Sequence, residues 1–137
     1  LSLDLTDDKM CFVCGKENPF GLRLKFDHPA DGRLTAMVRF TKEHQGYKDI
    51  VHGGLMTTVL DEMMVNLAWV EKKPCVTVEI TVRLKKAARV GEEILFEGRL
   101  DREEGKLLFA SAEARNTAGE ILASATAKCL RIRSVKG

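Results

Sequence analysis

HGGLMTTVLDEMMVNLAWV, residues 52–70, is the stretch that decides the fold. From Gly53 to Val70 it carries Leu55, Met56, Val59, Leu60, Met63, Met64, Val65, Leu67, Ala68, Trp69 and Val70, spread around almost the whole circumference of a helix. A helix apolar on nearly every side is a core helix. Two carboxylates, Asp61 and Glu62, nevertheless sit in its middle. A carboxylate there carries a desolvation cost unless it is paired or faces a cleft. Gly53 and Gly54 open the helix, where backbone N–H groups lack intrahelical acceptors and carry partial positive charge. A buried helix with free N–H groups at its start and an acid inside it has the parts that acyl-transfer chemistry needs.

The rest of the chain predicts what surrounds that helix. Pro74 breaks the pattern, and Val76, Val78, Ile80, Val82 and Leu84 then alternate with Thr77, Glu79, Thr81, Arg83 and Lys85. This is the period of a strand with one apolar and one polar face. Further strands are expected over 92–102, 106–116 and 120–133, joined by turns at Glu104-Gly105 and Ala118-Gly119. Strands joined by such short turns are antiparallel. Before the helix, residues 22–26 and 33–40 read as strands on either side of a turn at 27–32. Residues 41–51 read as a loop, and residues 1–20 as a turn-rich lead-in. The expected fold is α+β: an antiparallel sheet of five to six strands wrapped around one long central helix.

The chain has 137 residues, suited to one domain over 1–137, and 45% of them are hydrophobic. A formal net charge of +2 gives no reason to expect nucleic acid, which asks for a clustered basic face. The acidic opening LSLDLTDDKM is no secretory signal, and no apolar run reaches the roughly 20 residues of a membrane span. A soluble, cytoplasmic protein is expected. The four cysteines, at 11, 14, 75 and 129, should then be reduced thiols. Cys11 and Cys14 form one CxxC, two ligands where a structural zinc site wants four, so no metal is expected.

The run HQGYKDIVHGGLMTTVLDE (44–62) resembles the core of the phenylacetyl-CoA-type thioesterases of the hotdog fold. VTVEITVRLKKAARVGEEI (76–94) resembles their next strand and turn, and CFVCGKENPFGLRL (11–24) resembles the lead-in of one bacterial and archaeal branch. The likeness runs from about residue 11 to residue 132. It implies an acyl-CoA thioesterase in which His52-Gly53-Gly54 opens the helix and Asp61, nine residues after the histidine, is the catalytic acid. It also places Thr77 near the reaction centre, where many members have Ser or Thr. Two departures stand out. Gly46 occupies the position of an asparagine that helps place water, leaving Gln45 as the nearest substitute, and Ala87-Ala88 stand where a proline is common.

Helix geometry adds a constraint of its own. Asp61 lies on the same face as Gly54, roughly 20° away, but about 10 Å further along the axis. One thioester carbon cannot sit beside both within one helix. If both serve one reaction they come from different chains, which a two-fold dimer with composite sites provides. The resemblance implies the same homodimer, paired further into a dimer of dimers. Asp61 would act as general base or nucleophile, and the Gly53 N–H of the other chain would polarise the carbonyl. The structural alternatives are a tight turn at Gly53-Gly54 and an Asp61 satisfied by Thr57 or Thr58 one turn earlier.

Glu62, rotated about 100° from Asp61, is expected to make a structural hydrogen bond or rim contact. His52 is more a turn residue bonding the backbone than a base. Arg83, Lys85, Lys86 and Arg89 form either a solvated charged face or a set of cations for CoA phosphates. No cofactor is expected beyond the CoA of the substrate. A non-catalytic acyl-CoA binder on the same fold is the rival reading. A hotdog dehydratase is disfavoured because no histidine lies on the helix.

Overall fold

A helix that is apolar almost all round has to be covered on most sides, and this chain covers it by curling one sheet about it. The computed structural model describes residues 5–29 and 31–132. The first four residues of the lead-in, Ala30 in the 27–32 turn and the Arg133 end of the last expected strand lie outside the described residues. Helix α1 (Gly53–Val70) spans the quoted run, with Met56, Val59, Leu60, Met63, Met64, Leu67 and Ala68 buried. β1 (Leu34–Arg39) and a short 3-10 turn (Lys42–His44) precede it. β2 (Cys75–Leu84), β3 (Glu93–Glu104), β4 (Leu107–Arg115) and β5 (Ile121–Arg131) follow. All neighbours pair antiparallel in the order β1-β3-β4-β5-β2. This is the expected α+β arrangement, with five strands.

Gly98 on β3 shows how close helix and sheet come. A Cβ there would lie 2.6 Å from the Met63 carbonyl oxygen and 2.9 Å from its carbon. Only glycine lets the strand backbone approach the helix backbone this closely. Phe96, Ile94, Leu108, Leu122 and Ala123 complete the core from the concave side. Truncating a fully buried side chain such as Met63 to alanine would cost about 2–5 kcal/mol.

One expected strand is not a strand. Arg23 has a left-handed φ of 52°, which breaks any extended run over 22–26, while Leu22, Leu24 and Phe26 pack against the core. Their ladder is missing: the Leu22 and Leu24 N–H groups donate to Phe12 O and Val13 O of the lead-in, at 2.8 and 2.9 Å. Only Asp27 bridges to β1, at Thr35. The alternation there reports burial against the core without a partner strand.

β2 lies at one edge of the sheet, bulged between Thr77 and Glu79. The bulge leaves Val78 without a register partner and 55% exposed, and Leu84 at the strand's end is 56% exposed. Among the described residues no helix is long and apolar enough to cross a membrane.

Candidate active site

The helix start is built by His52. Its ring Nδ1 accepts the Gly54 N–H at 2.9 Å, making it the N-cap of α1. That bond takes up the Gly54 N–H. The Gly53 N–H has no acceptor among the described residues. A Cβ at Gly46 would sit 3.4 Å from the His52 ring, in ordinary contact with it. Gln45 and Val51 bridge across the entry loop, and the Gln45 side-chain oxygen accepts the Asp49 N–H at 2.9 Å. Gln45, His52 and Gly54 line one open cavity of about 360 Å³ together with His44 and Leu55.

Asp61 is half-buried on the same helix, and its partner comes from the sheet. The Thr77 hydroxyl donates to Asp61 Oδ1 at 2.6 Å. The alternative partners named from sequence are occupied elsewhere. Thr57 and Thr58 donate to the carbonyls of Gly53 and Gly54, at 3.0 and 2.8 Å, the back-bonding such residues make inside helices. Asp61 Oδ2 has no partner among the described residues, and no fully buried side-chain oxygen there lacks one, so Oδ2 is not sealed from solvent. The bulge after Thr77 interrupts the pleat where its hydroxyl meets the helix, the kind of local re-aiming bulges produce. Behind Thr77 the buried Cys75 thiol is pushed up by its hydrogen bond with Cys129 and by burial. All four cysteines are free thiols.

β2 thus touches the helix at two places. Its start holds Asp61 through Thr77, while its end meets the helix start, where a Cβ on Gly53 would lie 2.7 Å from Leu84 Cδ1. Within one chain the Gly53 N–H and the Asp61 carboxylate are at opposite ends of this contact.

The basic residues split. Lys85, Lys86 and Arg89 are exposed on a segment that runs beside the helix entry, where Val51 N–H donates to Ala88 O at 2.9 Å and Val90 N–H to Asp49 O at 3.0 Å. The Lys86 ammonium pairs with Glu120. Arg83 belongs to a different place, lining a cavity of about 300 Å³ on the outer sheet face with Glu97, Arg99 and Ser111. Glu97 itself, 8% exposed, is held by Arg33 at 2.6 Å and Arg99 at 3.2 Å. Nothing in the local pattern of β3 marks it as a buried charge.

Glu62 accepts from Asn66 Nδ2 at 3.2 Å, the structural bond expected of it. It also meets the lead-in. The Cys11 and Cys14 sulfurs and a Glu62 oxygen lie within 4.8 Å of one another. Burial, a hydrogen bond with Cys11 and the Glu62 charge push the Cys14 thiol well above its ordinary range. No sequence signal links positions 11–14 to position 62; only the folded path of the lead-in does.

Residues 48–123 match the family model of the thioesterase superfamily. Mouse acyl-coenzyme A thioesterase 13 is 27% identical over 97 residues, 69% of this chain and 69% of that protein. A crystal structure of a thioesterase superfamily protein superposes with a TM-score of 0.85 at 21% identity, covering 89% of this chain; the present chain spans 60% of that one. A Streptococcus mutans protein solved with acetyl-CoA bound superposes at 0.76 and 17% identity, over 82% of this chain and 91% of the other. The fold is the hotdog fold, and with more than half its length inside the family model the chain belongs to the thioesterase superfamily.

Proposed function

We propose that the protein hydrolyses an acyl-CoA thioester, aryl- or fatty-acyl, to the free acid and CoA, at sites shared between two copies of the chain. The observation that carries this reading is Asp61: a carboxylate inside a core helix, one oxygen held by Thr77 and the other not sealed from solvent. As a general base it takes a proton from water while the water oxygen attacks the thioester carbonyl. The carbonyl becomes an oxyanion, the C–S bond breaks, and the CoA thiolate leaves and is protonated. As a nucleophile it forms a mixed anhydride that water then cleaves. Both routes use the same oxygen.

The developing oxyanion needs a donor, and the Gly53 N–H is the available one. It comes from the partner. β2 has an unpaired edge with exposed Val78 and Leu84, a surface proteins protect or pair. Two β2 strands pairing antiparallel about a two-fold axis at Thr81, with Val78 bulged out of the ladder, set Thr77 opposite the partner's Leu84. Thr77 carries Asp61 with it, and the partner's Leu84 carries the partner's Gly53. A single symmetric pairing therefore assembles both composite sites. Pairing of two such dimers into a tetramer rests on the family resemblance. Gln45 and Thr77 position water. Lys85 and Arg89, beside the helix entry, meet the CoA phosphates, with Lys86 joining when released from Glu120. The mouse relative named for acyl-CoA hydrolysis and the acetyl-CoA-bound neighbour support this substrate class.

The test is a panel of aryl-, short- and long-chain acyl-CoAs with release of free thiol measured. Turnover of at least one class well above the buffer rate is expected. Saturable binding without thiol release would contradict hydrolysis and establish the rival reading, a non-catalytic acyl-CoA binder.

A further inference from the structure

The thiol pair of the lead-in is outside the proposed acyl-CoA chemistry, and its surroundings have the form of a metal site. CFVCG makes a tight turn in which the Cys14 N–H donates to Cys11 Sγ at 3.5 Å and the Gly15 N–H to Cys11 O at 2.8 Å. The turn closes only with glycine, because a Cβ at Gly15 would fall 2.4 Å from Cys11 N and 2.6 Å from Lys9 O. Two sulfurs are thereby held side by side, one of them already accepting an N–H, as a metal-bound thiolate does. The third group arrives from another element: Glu62 of α1, its oxygen within 4.8 Å of both sulfurs.

These spacings suit one ion. Tetrahedral zinc, with Zn–S about 2.3 Å and Zn–O about 2.0–2.2 Å, holds its sulfurs about 3.8 Å apart and sulfur and oxygen about 3.5 Å apart. All three groups are half-buried, and all three line a cavity of about 590 Å³ with Met10, Val65 and Trp69. A fourth coordination position has room there. Two thiolates select zinc, cobalt or ferrous iron over magnesium and calcium. A lone CxxC offered two ligands, the reason for expecting no metal from sequence; the helix supplies a third, and the cavity has room for water as the fourth.

We propose that Cys11, Cys14 and Glu62 bind one divalent transition metal of the zinc class, with water in the fourth position on the cavity side. The ion pins the lead-in to the central helix. The metal replaces a contact between acidic groups with a cross-link, so binding stabilises the folded chain by mass action.

Full-length protein stripped with a chelator and titrated with cobalt(II) tests this without any activity readout. One cobalt per chain is expected, with thiolate-to-metal charge transfer in the near ultraviolet and the strong visible bands of a tetrahedral site. Zinc should displace it and raise Tm. Cys14→Ser and Glu62→Gln should each weaken binding at least ten-fold, while Glu79→Gln on β2 should leave it unchanged. Circular dichroism confirms that each variant is folded. Glu62→Gln leaves the thiol turn intact, so it decides the matter should Cys14→Ser not fold. Absence of stoichiometric cobalt, bands without charge transfer, or binding indifferent to Glu62→Gln would each overturn the proposed site.

Discussion

Asp61 and Glu62 are neighbours in the chain and carry the same group, yet the fold gives them different surroundings. Asp61 turns toward β2, where Thr77 holds one oxygen and the other is not sealed from solvent. Glu62, about 100° further round the helix, turns toward the lead-in, where it meets Cys11 and Cys14, and accepts from Asn66 one turn along the helix. The first environment orients a carboxylate and leaves it room to react. The second ties a carboxylate to neighbours and offers it to a cation. In the proposed mechanism one helical step separates a reacting acid from a bracing one, and replacing each by its neutral amide tests the division. Asp61→Asn should lower kcat by about 10²–10⁴-fold, the range of a lost general base, with KM little changed. Glu62→Gln should leave kcat within a few-fold. Steady-state kinetics on the best acyl-CoA measures both, and the reverse pattern would move the catalytic acid by one residue.

The helix start can be probed with as little disturbance. Gly53→Pro removes one N–H and little else. Proline is welcome at the first helical position, and His52 already has the extended ψ of 128° that a following proline requires. A Cβ at Gly53 would lie 2.7 Å from Leu84 Cδ1, the far end of a flexible side chain that has to turn aside. Loss of an oxyanion donor should lower kcat by about 10²–10³-fold. A folded Gly53→Pro with normal turnover would remove Gly53 from the reaction.

Thr77→Val keeps shape and loses the hydroxyl that holds Asp61. A hydrogen bond to a charged group is worth about 1.5–3 kcal/mol, so kcat should fall by about ten- to a hundred-fold. A smaller loss in the unrelated Thr81→Val would show that the effect belongs to the Asp61 contact. The smallest effect is expected from the exposed cations. Lys85→Ala with Arg89→Ala should raise KM for acyl-CoA by about 2–5-fold at low salt, less at high salt, and leave kcat alone. Arg83→Ala, on the outer face, should do less.

The same contrast explains what could be read from sequence. The bounds of α1 were legible because a core helix is apolar almost all round, and the face of β2 was legible only beyond its bulge: Thr77, read on the polar face, meets the helix, while Val78, read on the apolar face, is exposed. His52 as a turn residue was legible because its hydrogen bond is local, two residues away. The segment at 22–26 carried a strand's period without a strand's partner or a strand's backbone, and period alone does not distinguish the two. The Glu62–Cys11–Cys14 cluster and the Arg33–Glu97–Arg99 network were illegible for another reason: they join positions far apart in sequence and leave no local pattern. The hydrogen bond of Thr77 to Asp61 lies between these cases. Family resemblance put Thr77 near the reaction centre, but only the bulge and packing of β2 show which oxygen it holds.

The central claim is that each site takes Asp61 from one chain and Gly53 from the other. Co-expressing Asp61→Asn and Gly53→Pro chains with different tags, and isolating the mixed dimer through both, tests it directly. In a composite arrangement one site of the mixed dimer carries both lesions and the other carries neither. Thiol release should then recover to about half of the wild-type rate per dimer, although each parent homodimer is nearly inactive. If each chain holds a complete site of its own, both sites of the mixed dimer keep one lesion. Activity would then stay at the level of the parents, contradicting the shared site.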